Sequence, residues 1–128
     1  MRKLDATIRQ KIAAQDDEWV KKARGLVERL RSQDKERQLR NIQSIAESSN
    51  SWKALALFIR YQAARRELGK QWAEETIERL GNLQRDAQSL AAPYKADPKA
   101  VHMELVSRVL GYAVRWHVWD VKEQEERQ

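Results

Sequence analysis

Residues that interrupt helices are scarce in this sequence. Only four glycines and two prolines occur among its 128 residues, and apolar side chains recur every three or four positions between them. That spacing places apolar side chains on one side of an α-helix, whereas a strand places them at alternate positions. Most other positions hold residues that lose little conformational freedom in a helix, such as Ala, Gln, Glu, Arg and Lys. The sequence therefore predicts an all-α protein.

A chain of this length can bury one hydrophobic core, so we expect a single domain over residues 1–128. The sequence contains no cysteine, which excludes disulfides and thiolate metal sites and is typical of intracellular proteins. No apolar run approaches the roughly 20 residues that a membrane span needs. We expect a cytoplasmic protein without a membrane segment.

Breaks in the helical spacing indicate a compact bundle of about five helices. Leu4, Ile8 and Ile12 favour only a thin amphipathic helix, so residues 1–15 are expected to fray, as are residues 123–128. The clearest boundary is "APYKADPKA", where Asp97 can cap a helix that begins at Pro98 and ends near Lys122. The other helices are predicted to begin at Asp16 or Asp17, at Asp34, at Trp52 and at Lys70.

The ends of these helices follow from the same local patterns. The helix from Asp34 stops in "SSNS", where Ser49, Asn50 or Ser51 can cap the next one. That next helix should end near Gly69, and the one from Lys70 should continue through Gly81 and Asn82. The apolar sides of the helices predict a core that includes Trp19, Leu39, Phe58, Ile59, Leu80, Leu105 and Trp116.

Positive charge is unevenly distributed along the chain. Residues 1–40 carry twelve basic and seven acidic side chains, and residues 53–70 carry five basic and one acidic. Residues 71–128 carry eight basic and ten acidic side chains. Segregated positive charge favours a polyanionic partner such as nucleic acid, although an excess of this size is also ordinary for a helical domain.

Arginines stand inside the most apolar segment, "ALFIRYQAARREL" at residues 56–68. On a helical wheel Lys53 and Arg60 share one side with Ala56, Ala63 and Ala64. Two interpretations are open. Another helix can pack on the alanines while the cations reach water, or phosphates or a second copy of the chain can approach there.

Arg65 falls on the apolar side of the same wheel, between Phe58 and Tyr61. An unpaired guanidinium is costly to bury, so we expect a carboxylate, carbonyl groups or a ligand beside it. Gly111 lies in the last predicted helix between Arg108 and Arg115. A glycine within a helix costs up to about 1 kcal/mol relative to alanine, which favours close approach by a backbone, a ligand or a packed helix.

No pattern of residues predicts catalysis. The sequence shows no convincing nucleophile with a base, no paired acid and base, and no glycine-rich phosphate loop. His117 and Asp120 are one turn apart, but two ligands do not make a metal site. Glu74, Glu75 and Glu78 lie in the first turns of a helix, where they complement its dipole. We expect a protein that is not an enzyme and holds no metal or cofactor.

Four segments, taken in order, resemble the small subunit of type III-A CRISPR effector complexes, the Csm-type small subunit. They are "DDEWVKKARGLVERL", "QLRNIQSIAES", "LFIRYQAARRE" and "GYAVRWHVW". The match runs from about Asp16 to Lys122. Its most specific positions are Gln38, Leu39, Arg40, Tyr61, Gln62 and Arg65, with Trp116 and His117 in the last helix.

This resemblance implies a non-catalytic helical bundle whose copies stack along an RNA-guided effector complex, beside the duplex of guide RNA and target RNA. Other effector subunits would be its protein partners and would carry the chemistry. The subunit would contact RNA without reading its sequence. The residues expected to bind RNA are Lys53, Arg60, Arg66, Arg108, Arg115 and Arg40. Those expected to have a structural role are Tyr61, Gln62 and Arg65.

An alternative function is a helical protein–protein interaction or adaptor module with no nucleic-acid role. Such a module would use its tryptophan-rich faces to bind a partner helix. Self-association, as a dimer or as stacked copies, is also expected, because alanine and glycine occupy helix faces that otherwise look exposed.

Overall fold

The computed structural model describes residues 2, 4–31 and 33–127, which form six α-helices and two short 3-10 helices. The α-helices are α1 (Ala6–Ala13), α2 (Asp16–Val27), α3 (Glu36–Ser48), α4 (Trp52–Ala64), α5 (Lys70–Ala91) and α6 (Pro98–Arg127). No strand occurs within these described ranges. The prediction of an all-α bundle is therefore confirmed. None of these helices combines the length and the apolar content that a membrane span requires.

Local capping sets several helix boundaries where the sequence predicts them. The Ser51 hydroxyl accepts the backbone N–H of Ala54 at 3.1 Å and starts α4. A carboxylate oxygen of Asp97 accepts the N–H of Lys99 at 3.0 Å beside the start of α6. As predicted, α5 runs through Gly81 without a break.

Other boundaries differ from the prediction. α4 ends at Ala64 and not near Gly69, because Arg66 adopts a left-handed conformation that turns the chain. α6 continues past Lys122 to Arg127. The residue that precedes α2 is Gln15, so the predicted caps of this helix lie inside its first turn.

α6 is the central helix and packs against α2, α3 and α5. The indole N–H of Trp116 donates to the carbonyl of Val20 at 3.0 Å, which joins α6 to α2. A ring nitrogen of His102 is 2.9 Å from the carbonyl of Leu80 and joins α6 to α5. α4 packs against α5 and α3. One side of α4 therefore remains open to solvent.

Gly111 is a point of close approach between α6 and α3. A Cβ atom at this position would lie 2.9 Å from the side-chain nitrogen of Gln43. Of the interpretations left open by the sequence, packing against a neighbouring helix accounts for this glycine.

Five of the seven predicted core residues belong to one cluster of buried side chains. Phe58 and Trp116 are partly buried and pack against its edge. The fully buried members of the predicted set are Trp19, Leu39, Ile59, Leu80 and Leu105. Ile8 and Ile12 of α1 join the same cluster. α1 thus contributes to the core, while the expected fraying of residues 1–15 and 123–128 stays a prediction.

A buried arginine that the sequence did not indicate ties the N-terminal segment to the bundle. Arg2 donates to Glu104 on α6 at 2.6 Å and to the side chain of Asn50 at 2.9 Å. It also donates to the carbonyl of Ser49 at 3.0 Å and to the carbonyl of Ala46. This cluster joins residue 2 to the end of α3 and to α6.

Candidate nucleic-acid interface

The outward side of α4 carries cations with apolar side chains exposed between them. Lys53, Leu57, Tyr61 and Arg65 follow at intervals of four residues, which makes successive members neighbours on a helix. Leu57 is 67% exposed and Tyr61 is 50% exposed. The side chains of Lys53 and Arg65 are exposed as well. We call the α4 surface the group formed by Lys53, Leu57, Arg60, Tyr61, Arg65 and Arg66.

Arg65 lies on this surface, so its predicted burial in the apolar arc is wrong. Its guanidinium donates to the Tyr61 hydroxyl at 3.0 Å, and its central carbon lies 5.6 Å from the centre of the Tyr61 ring. This hydrogen bond raises the pKa of Arg65 above its ordinary value. Because α4 ends at Ala64, Arg65 caps the helix and leaves the arc that the wheel assigned to it. Its structural contact is a local one with Tyr61.

Arg66 follows in a left-handed conformation with φ of 63°. The backbone N–H of Glu67 donates to the carbonyl of Gln62, and the N–H of Arg66 donates to that of Ala63, both at 3.0 Å. This pair of bonds is the helix-ending motif that usually has glycine at the left-handed position. Here that position holds an exposed arginine instead.

Arg60 projects from the same helix toward α5. Its guanidinium lies 3.2 Å from the Glu74 carboxylate, and both side chains are about half exposed. Of the alanines predicted to share its side, Ala56 is buried and Ala64 is exposed. Packing of α4 within the bundle thus covers part of the alanine face, and the first of the two interpretations holds there.

The other predicted RNA-binding residues lie on α3 and α6. Arg40 is exposed and pairs with Glu36 on its own helix at 2.7 Å. The Arg115 guanidinium is exposed and lies 5.3 Å from the centre of the Tyr112 ring. Neither contact removes the cation from solvent.

Arg108 is already bound to a carboxylate. It donates to both Asp16 oxygens, at 2.6 and 3.1 Å, and joins α6 to α2. This pairing lowers the pKa of Asp16 and raises that of Arg108. A phosphate would have to displace a two-point ion pair, so the geometry favours a structural role over the predicted RNA contact.

No family model, curated protein or solved structure matches this chain.

The predicted structural residues on α4 differ in burial. Gln62 is buried. Tyr61 is half exposed and meets Phe58 with ring centres 6.4 Å apart. The Gln38 amide of α3 donates to Glu67, beyond the end of α4, at 3.0 Å. This hydrogen bond joins α3 to the turn that follows α4.

The histidine and aspartate that could have formed a metal pair have other partners. His117 Nε2 accepts the backbone N–H of Lys35 at 2.9 Å. Asp120 accepts from Arg24 at 2.7 Å. Within the described part of the chain, no group of three His, Cys, Asp or Glu residues is placed to hold a metal ion.

Proposed function

We propose that this protein is a non-catalytic RNA-binding subunit that contacts the sugar–phosphate backbone without reading sequence. The single observation that carries the proposal is the α4 surface, where Lys53, Arg60 and Arg66 are exposed around Tyr61. Long exposed cations of this kind bind phosphate.

The ion pair between Arg60 and Glu74 is compatible with this function. Both side chains reach solvent, and exposed pairs of this kind contribute little to stability. Arg60 can therefore exchange Glu74 for a phosphate at low cost. Arg66 and Lys53 have no carboxylate partner among the described residues.

The sequence resemblance narrows this proposal to the small subunit of a type III CRISPR effector complex. In that setting the RNA is the duplex of guide and target, and the partners are other effector subunits and neighbouring copies of this chain. The same proposal places the protein in the cytoplasm.

RNA titration at several salt concentrations tests the contact. We expect Arg60→Ala and Arg66→Gly to weaken binding for all RNA sequences alike. Each should reduce the slope of log affinity against log salt by roughly 0.7 to 0.9, because each lost phosphate contact leaves one counterion unreleased. Lys95→Gly is the matched control, since Lys95 is the other left-handed cation, with φ of 52°, and lies outside the α4 surface. Equal loss in Arg66→Gly and Lys95→Gly would contradict the α4 surface as the contact.

Purification from the native cell tests the assignment to an effector complex. We expect the tagged protein to bring down a guide RNA of uniform length together with other protein subunits. A protein that is purified free of RNA and of those subunits would contradict it.

The adaptor function remains the second candidate, because large apolar side chains are exposed. Leu57 is 67% and Trp119 59% exposed, and such side chains are enriched where proteins bind one another. An adaptor predicts that Leu57→Ser abolishes partner capture while Arg66→Gly and nuclease treatment do not change it. The RNA-binding function predicts instead that Arg66→Gly and nuclease treatment both reduce partner capture.

A further inference from the structure

A groove lies beside the α4 surface, where α4 begins. This groove, of about 930 Å³, lies between the segment before α4, the start of α6 and the last third of α5. Its lining includes Trp52 and Lys53 from the start of α4 and Lys99 and His102 from the start of α6. Its volume is in the range of sites that bind small molecules or single nucleotides.

The charges around this groove favour an anion. Lys53 of α4 and Lys99 of α6 both line the groove. Both helices begin there, so the positive ends of two helix dipoles add to the two ammonium groups. One carboxylate, that of Asp97, also lines the groove. One of its oxygens caps α6 through the N–H of Lys99 at 3.0 Å. The groove therefore has two ammonium groups that can bind an anion and one carboxylate that can accept a hydrogen bond.

His102 adds a second acceptor to the groove. The residue is only 3% exposed, and its Nε2 lies 2.9 Å from the carbonyl oxygen of Leu80. A carbonyl can only accept, so Nε2 carries the hydrogen and Nδ1 is left with a lone pair. Burial lowers the pKa of His102 and keeps the ring neutral.

Among the described residues, the only hydrogen bond of the His102 ring is the one made by Nε2, so Nδ1 has no partner there. Because His102 meets solvent where it lines the groove, a ligand there can donate a hydrogen bond to it. The Trp52 and His102 rings pack at a steep angle with their centres 5.1 Å apart, and Trp52 supplies an apolar surface. A nucleotide combines an anionic phosphate, a hydroxyl that can donate a hydrogen bond and a flat base. These three groups match the lysines, His102 Nδ1 and the Trp52 ring.

We propose that this groove binds one ribose–phosphate unit of an RNA strand. The phosphate lies between Lys53 and Lys99, and the ribose 2′-hydroxyl donates to His102 Nδ1. The inference rests on the proposed function, because it assigns the groove to the same RNA that crosses the α4 surface, with Lys53 shared by both. It adds a means of distinguishing RNA from DNA, since only RNA carries the 2′-hydroxyl.

Chemically altered strands test this without changing the protein. A short labelled single-stranded RNA, its 2′-O-methyl form and DNA of the same sequence are titrated by fluorescence anisotropy. We expect the RNA to bind about fivefold more tightly than either analogue, which is the size of one neutral hydrogen bond. Lys99→Gln should weaken all three and lower the salt slope by about 0.7. Lys95→Gln, which removes the same charge four positions away and outside the groove lining, should bind as the wild type does.

The outcomes separate this inference from the proposed function. If Arg66→Gly weakens binding but Lys99→Gln does not, and if the three strands bind equally, the proposed function stands and the groove site is wrong. If the wild type binds neither this strand nor an RNA duplex of the same sequence at low salt, both are wrong. If adenosine 5′-monophosphate displaces the strand in the wild type but not in Lys99→Gln, at concentrations near the Kd of the strand, the groove takes a free nucleotide and the strand assignment is overturned.

Discussion

At the residue scale, Arg66 places a long cation where the backbone favours glycine. Its φ is 63°, and the helix-ending hydrogen bonds around it hold that conformation. A side chain at positive φ costs roughly 1–2 kcal/mol, which the greater freedom of unfolded glycine partly offsets. We expect Arg66→Gly to raise the free energy of unfolding by about 0.5–1 kcal/mol in a urea titration while it weakens RNA binding. A loss of both stability and binding would indicate that the arginine supports the fold instead.

His117 makes stability depend on pH. The ring is fully buried, and burial lowers its pKa, although Asp34, Asp120 and Glu36 act in the opposite direction. The unfolded state therefore takes up protons near the ordinary value of about 6.5 before the folded state does. The contribution is fully present above about pH 6.5 and is lost as the pH falls.

The variant His117→Phe tests this pH dependence. It leaves the backbone N–H of Lys35 without its acceptor, so we expect the free energy of unfolding to fall by about 1–3 kcal/mol at pH 8. Urea titrations between pH 5 and 8 should also show a flatter pH dependence than in the wild type. His102, whose pKa is lowered by burial as well, accounts for part of the remaining slope. An unchanged slope would contradict the assignment to His117.

At the element scale, we expect the packing of α1 to depend on Arg2, which precedes it in the chain. The Arg2 side chain is 3% exposed and its partner Glu104 is 19% exposed, so removing the arginine leaves a largely buried carboxylate with only the longer contact to Arg9. We expect Arg2→Met to lower the free energy of unfolding by about 3–5 kcal/mol and to speed amide hydrogen exchange in α1. Lys11→Met is the control, since Lys11 is an exposed cation on α1 itself. Equal effects of the two variants would show that Arg2 does not hold the N-terminal segment.

At the scale of the whole molecule, self-association stays a prediction, but its expected site changes. Ala56 is buried within the chain and Gly111 is covered by Gln43, so these small residues are not free for a second copy. Leu57 and Trp119 are the most exposed large apolar side chains in the described residues.

Sedimentation velocity at increasing protein concentration tests the new site. We expect wild-type association to weaken in Leu57→Ser and Trp119→Ser, because each removes exposed apolar area from the contact. Tyr94→Ser should leave it unchanged, since Tyr94 is exposed at a separate 3-10 helix. A wild type that is monomeric at every concentration would contradict self-association itself.

The helices and most of their boundaries could be predicted from the sequence because the causes are local. Caps such as Ser51 and Asp97 act within three residues, and the spacing of apolar side chains shows which side of each helix faces the core. This spacing also predicts that Lys53 and Arg60 lie on the outside of α4, where both are exposed. Arg65 was misplaced because a wheel assumes that the helix continues, and α4 ends one residue earlier.

Only the tertiary structure decided which charged groups meet. Arg108 with Asp16 and Arg2 with Glu104 join residues about a hundred positions apart, and no periodicity relates such positions. The groove between Lys53 and Lys99 likewise exists only because α4, α5 and α6 pack together. Sequence determined the helices through short-range hydrogen bonding and burial, whereas the packing of those helices determined which cations stay free to bind an anion.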